Sequence, residues 1–129
     1  MKYTIEKSEK HTILKLDEEK LDTLIAPKLK SEFVTIFQSG TKNLILDLSA
    51  VKYVDSSGLS AILVANRMAK ELNSLFVLVA LSEHVQKLIT ISKLDSVLTI
   101  FATRAEAIDA IFLNEIEKDL IGDEDSDEE

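Results

Sequence analysis

The 129-residue chain contains no cysteine. That excludes a disulfide framework, a thiolate metal site and a cysteine nucleophile. Histidine is nearly as scarce: His11 and His84 have no histidine partner at helical spacing, so both read as surface residues rather than ligands, and no metal site or cofactor is expected. No apolar run approaches the roughly 18 residues of a membrane span. The opening Met-Lys-Tyr-Thr-Ile-Glu-Lys lacks the apolar stretch of a secretory signal, so a cytoplasmic protein without a membrane span is expected. No Gly-x-x-x-x-Gly-Lys loop is present to cradle nucleotide phosphates. Proline occurs once, at Pro27, and the three glycines (Gly40, Gly58 and Gly122) all fall at the ends of expected elements.

What is present fits one domain: 46% of the residues are hydrophobic, enough for a core in a chain of this size. The formal charge is −8, from 15 basic and 23 acidic residues. The tail Asp123-Glu124-Asp125-Ser126-Asp127-Glu128-Glu129 holds six of the acids and no base; without it 17 acids face 15 bases, a net of −2. The expected organisation is therefore a domain over residues 1–121 and an acidic, disordered tail over 122–129, solvated by its own repulsion. With no basic stripe, direct nucleic-acid binding is not expected.

Tyr3 and Ile5 alternate with polar residues, Glu6 to Lys10 reads as a polar turn, and Ile13, Leu14 and Leu16 form a second strand; an antiparallel hairpin opens the fold. Pro27 in a first turn, then Leu29, Phe33, Ile36 and Phe37, predicts a helix that Gly40 ends. The apolar runs Leu44–Leu48 and Leu75–Leu81 fit central strands covered on both faces. Between them Leu59, Ile62, Leu63, Met68 and Leu72 mark a helix from Ser56 to Leu72, which makes the two strands a parallel pair. Ser82 caps a short helix, Val97–Phe101 is a last strand, and Thr103 with Glu106 opens a final helix with Ala105, Ile108, Phe112, Ile116 and Leu120 on its apolar face and a stop at Gly122. The fold class is α/β: a small mixed sheet with about four helices packed on it.

Val54-Asp55-Ser56-Ser57-Gly58-Leu59 lies where a strand hands over to a helix. The first turn of a helix offers unpaired N–H groups and partial positive charge, which an aspartate or serine caps and which accommodates a phosphate. A phosphate on Ser56 adds about −1.5 to −2 charges to a surface that already carries Asp55. A partner that buries this surface would lose its footing without any refolding. Read alone, the segment is better explained by plain helix caps. Of the neighbouring side chains, Leu59, Ile62 and Leu63 are expected to pack on the sheet, and Ser60, Asn66 and Arg67 to face outward.

Leu46-Asp47-Leu48-Ser49 followed by Val54-Asp55-Ser56-Ser57-Gly58-Leu59 resembles the central signature of the STAS domain, the fold of sulfate-transporter tails and anti-sigma-factor antagonists. The similarity extends in order through Leu21-Asp22, Ala26 and Leu29, through Val85-Gln86-Lys87-Leu88, Ser92 and Leu94, to Phe101, Glu106, Ala107 and Ile108, or roughly residues 3–115. The chain departs from the pattern at Glu19, Ile25, Asn73, Ser74 and Lys93. The resemblance implies a single STAS-like domain of the bacterial anti-sigma-factor antagonist branch, where the first serine after the aspartate, here Ser56, is the phosphoacceptor. Asp55 and Ser57 flank it, Asp22 is implied to lie on a neighbouring loop, and with Gly58 and Ser60 these make the expected partner-binding set. The implied partners are an anti-sigma factor serine kinase and a serine phosphatase, with the chain itself catalysing nothing.

A hydrolase reading lacks the Gly-x-Ser-x-Gly elbow and a histidine at this segment. A metal site built from Asp22, Asp47 and Asp55 has no spacing signature. A response-regulator receiver would need an acidic pair after its first strand. The alternative within the same fold is a non-catalytic scaffold, or a soluble accessory subunit, of a stress-sensing or lipid-transport complex.

Overall fold

A computed structural model describes residues 1–128 of the chain, with side chains described through residue 121. The alternating segments at the start form β1 (Tyr3–Lys7) and β2 (Thr12–Leu16), paired antiparallel with Tyr3 opposite Leu16 and Lys7 opposite Thr12. The strand runs two residues further than the sequence predicts, since Glu6 and Lys7 pair rather than turn. The two apolar runs form β4 (Leu44–Asp47) and β6 (Phe76–Val79), after a two-residue β3 (Lys20–Leu21) and before β7 (Thr99–Phe101). The main sheet has the order β1-β2-β4-β6-β7, antiparallel at the first pair and parallel thereafter.

Both faces of the central strands are covered, and side-chain alternation sorts residues between the layers. Leu44, Leu46, Phe76 and Leu78 point to one side, where they meet Leu29, Phe33 and Ile36 of α1 (Ala26–Gln38), Ala61, Ile62 and Ala65 of α2 (Ser56–Glu71), and Val85 and Ile89 of α3 (Glu83–Ile91). Phe33 meets Phe76 edge-on, with ring centroids 5.9 Å apart. Ile45, Val77 and Val79 point to the other side, onto Ala107 and Ile111 of α4 (Arg104–Glu128). Each fully buried Leu, Ile or Phe contributes about 1.5–3 kcal/mol through apolar burial, so the sandwich of layers is the main source of stability.

The ends of the helices reflect local chemistry. Ser82 Oγ accepts from Val85 N at 3.2 Å, and Thr103 Oγ1 from Glu106 N at 3.2 Å. At the other ends, Gly40, Asn73 and Lys93 each stand just past a helix with positive φ, at 94°, 54° and 61°. Asn73 N donates to Lys70 O and Ser74 N to Ala69 O; Lys93 N donates to Thr90 O and Leu94 N to Ile89 O. These are the paired bonds of a left-handed helix stop.

One expectation for α4 is corrected. The helix continues through Gly122 to Glu128, because a glycine inside a helix costs about 1 kcal/mol and does not forbid it. Glu129 and the side chains of 122–128 lie outside the described residues. The five apolar residues expected on one face of α4 do share a face, but the buried residues are Ala107 and Ile111, with Ile108 partly covered; Ala105, Phe112, Ile116 and Leu120 are exposed. Strands of three to five residues span only about 10–17 Å. The 25-residue helix is roughly 37 Å long, so it outruns the sheet.

Candidate functional site

The strand that delivers the Asp55–Gly58 turn is the two-residue β5 (Tyr53–Val54), which pairs parallel with β3 outside the main sheet. Lys20 lies opposite Tyr53 and Leu21 opposite Val54. This short ribbon joins two turns far apart in sequence: Asp55 N donates to Leu21 O at 3.2 Å, and the next residue after Leu21 is Asp22.

Each aspartate organises its own turn. Asp55 is the N-cap of α2, with Oδ1 accepting from Gly58 N at 2.9 Å. Asp22 Oδ1 accepts from Leu24 N at 3.0 Å and Ile25 N at 3.3 Å, and its carbonyl accepts from Ala26 N at 2.8 Å. Asp22 therefore supplies the start of α1, where Ile25 in the cap position has no side-chain acceptor to offer. Gly58 is buried, and a Cβ there would stand 2.4 Å from Leu21 O and 2.7 Å from Leu21 Cγ. The glycine is what lets the two turns touch.

Because Asp55 caps the helix, Ser56 is left as its first residue, with its side chain exposed to solvent. Ser57 is half-buried and Ser60 exposed. These three serines form one wall of an open groove of about 300 Å³; Thr23, Pro27 and Lys30 form the facing wall. The structure thus brings Ser56, Ser57 and Ser60 into one groove, with Asp22, Asp55 and Gly58 shaping the turns around it. Lys30, the one cation among the described residues of that groove, has no counterpart in the set expected from the sequence. Its place depends on how α1 packs on α2, and no local pattern reports that.

Around the groove, Ile62 is fully buried, Leu59 and Leu63 pack against the core, and Ser60 and Arg67 face outward, as expected. Asn66, expected on the outer side, is buried instead: it sits one turn beyond Ile62 on the stripe that also holds Ala65 and Ala69. His84 packs edge-on against Tyr53, ring centroids 5.3 Å apart, and His11 lies in the β1–β2 turn.

The three aspartates do not converge. Asp47, at the end of β4, is buried and accepts from Arg104 Nε at 2.7 Å and from Ser49 N at 2.9 Å. Burial alone would push its carboxyl up. The Ser49 hydroxyl and amide and the Arg104 guanidinium outweigh that and hold it below the usual carboxylate range.

The chain matches the STAS domain family over residues 2–107 and belongs to that family. Among solved structures it is similar to an anti-sigma factor antagonist from Mycobacterium paratuberculosis, at 21% identity and a TM-score of 0.77, covering 85% of this chain and 92% of that one. It is also similar to the Bacillus cell fate determinant SpoIIAA in its phosphorylated form, at 22% identity and a TM-score of 0.67, covering 85% and 99%. A third likeness is to the murine anion transporter Slc26a9, at 18% identity and a TM-score of 0.68, covering 81% of this chain and 18% of that one. At these identities the likenesses show the fold, and the same fold serves both regulators and a transporter. Among the described residues, no helix is long and apolar enough to cross a membrane.

Proposed function

We propose that this chain is an anti-sigma-factor antagonist whose binding to an anti-sigma serine kinase is controlled by phosphorylation of Ser56. The observation that carries the reading is the placement of Ser56: exposed, first in α2, relieved of capping duty by Asp55, and on the wall of an open groove. Unphosphorylated, the surface around Ser56, with Asp22, Asp55, Ser57 and Ser60, is free to be buried by the kinase, which then releases its sigma factor; Gly58, expected in the partner-binding set, is buried beneath that surface and holds its two turns together. The kinase transfers the γ-phosphoryl group of ATP to Ser56 Oγ, leaving ADP, and a serine phosphatase later hydrolyses the ester. The phosphate is accommodated by the N-terminal turn of α2 and by Lys30 across the groove, so the domain keeps its fold. What changes is the charge that a partner must bury. The chain is ligand and substrate in this cycle, not catalyst. SpoIIAA, a structural relative known in a phosphorylated form, is the model for the reading.

The test is affinity capture from lysate of the native host with wild type, Ser56→Ala and Ser56→Asp as baits, read by mass spectrometry. A kinase held by wild type and Ala and lost from Asp is the expected outcome. Equal capture of one partner by all three baits would return the protein to the scaffold or accessory-subunit reading.

A further inference from the structure

From Phe112 to Leu120, α4 carries an exposed apolar ridge. Phe112, Leu113, Ile116 and Leu120 are exposed at 62%, 59%, 39% and 60%. At about 100° per residue they fall within one arc of roughly 100°, the width of an apolar stripe that normally faces another element. Glu117 borders the arc on one side and Asp119 on the other. At its N-terminal end, Phe112 also lines a groove of about 230 Å³ between α4 and the β1–β2 turn, with Ile108, Ile111 and His11. The groove is sized for one apolar side chain, and the ridge beyond it for a helix laid alongside.

Charge identifies the occupant. Residues 104–129 carry two basic and 11 acidic side chains, a net of −9; residues 1–103 carry 13 basic and 12 acidic, a net of +1. The net negative charge of the sequence thus falls between Arg104 and Glu129, and the described side chains of α4, residues 104–121, carry two bases and five acids, a net of −3. Two copies meeting ridge to ridge would set one net negative helix against another, and an anionic membrane or nucleic acid would be repelled in the same way. A partner with apolar residues at helical spacing and lysine or arginine on its flanks satisfies both the ridge and the field.

We infer that the exposed face of α4, from the Phe112 groove to Leu120, is a docking site for a basic amphipathic helix of a partner protein. The site lies on the opposite face of the sheet from α1 and α2, and therefore from Ser56. It is a second surface, independent of the phosphoacceptor groove.

The probe is a fluorescein-labelled synthetic helix of about 18 residues, leucines at i, i+3, i+4 and i+7 and lysines elsewhere, titrated with the full chain and read by anisotropy. A scrambled peptide of the same composition is the control. Saturable binding of the helix is expected, weakening as salt rises, with the scrambled peptide at least about tenfold weaker and Ser56→Asp without effect. The variant Phe112→Asp/Leu120→Asp separates ridge from charge. It makes α4 more acidic, so attraction by charge alone predicts tighter binding, whereas docking on the ridge predicts a loss of at least about tenfold. Leu113→Gln/Ile116→Gln provides a second pair with no added charge, and both variants are checked for an unchanged melting curve. Four outcomes would overturn the assignment: a scrambled peptide that binds as well, a double Asp variant that binds as well or better, a wild-type dimer in sedimentation that Phe112→Asp dissolves, or adsorption of the chain to phosphatidylcholine vesicles that the same variant abolishes.

Discussion

Gly58 meets the Leu21 carbonyl where no side chain fits, and that contact joins the Asp22 turn to the Ser56 turn. Alanine there would gain about 1 kcal/mol of helix propensity, yet its Cβ would have to displace backbone at 2.4 Å. Overpacking of this kind costs typically 1–3 kcal/mol, and here it cannot be absorbed by a flexible side chain. Gly58→Ala is expected to lower unfolding stability by a net of up to about 2 kcal/mol in denaturant titration and to loosen the Asp22 turn as well. Lys93 is the opposite case. It holds a left-handed stop at φ 61°, a conformation that costs an ordinary residue about 1–2 kcal/mol and glycine almost nothing. Allowing for the greater freedom of glycine in the unfolded chain, Lys93→Gly is expected to raise stability by about 0.5–1 kcal/mol, measured as a shift of the denaturation midpoint at constant slope. Both sites are partly legible in the sequence. Lys93 stands at one of the positions where the chain departs from the pattern it resembles, and a glycine after Asp-Ser-Ser marks a close approach. What Gly58 approaches is a tertiary fact that residues 21 and 58 do not disclose by themselves.

Elements declare themselves when their signals are local. Ser82 and Val85, three residues apart, announce the start of α3, and the Leu44–Leu48 run announces a covered strand. The β3–β5 ribbon stays hidden because two-residue strands carry no period and their pairing spans more than thirty residues of chain. The exposed face of α4 is hidden for a related reason: Phe112, Ile116 and Leu120 have core-like spacing, but spacing cannot say where the sheet ends. Two polar clamps, also invisible in the sequence, fix α4 where it does touch the sheet. Fully buried Asn43 donates to Lys10 O at 2.8 Å and Glu115 Oε1 at 3.0 Å, and accepts from Leu75 N at 2.9 Å. Arg104 joins the first turn of the helix to buried Asp47. Since the folded carboxyl of Asp47 lies below its unfolded value, its contribution to stability is complete above about pH 4 and is lost as pH falls through the folded value. Arg104→Gln removes one of the interactions that depress it. The variant is expected to be less stable by about 1–2 kcal/mol near neutral pH. Its deficit should shrink below about pH 4, as Asp47 becomes protonated in both proteins; urea titrations at a series of pH values track the difference.

Across the whole molecule, the two faces of the sheet carry two different surfaces: a serine-lined groove where α1 meets α2, and an acidic helix with an apolar ridge on the other side. A switch at the first surface works by charge alone only if the fold is indifferent to what Ser56 carries. The geometry argues for that indifference. The capping bond of α2 comes from Asp55, so removing the Ser56 hydroxyl removes no cap. A carboxylate at the first helical position faces the positive end of the helix dipole and is worth about 0.3–1 kcal/mol in its favour, screened by salt. Ser56→Ala is therefore expected to stay within about 0.5 kcal/mol of wild type in thermal or urea unfolding. Ser56→Asp is expected to match wild type or exceed it slightly, while losing the kinase in capture. Asp55→Ala, which does remove the cap, is expected to lose about 1 kcal/mol. The ordering is diagnostic. A Ser56→Asp protein that melted well below wild type would mean that loss of binding comes from loss of structure, and the surface around Ser56 would then be a conformational switch rather than an electrostatic one.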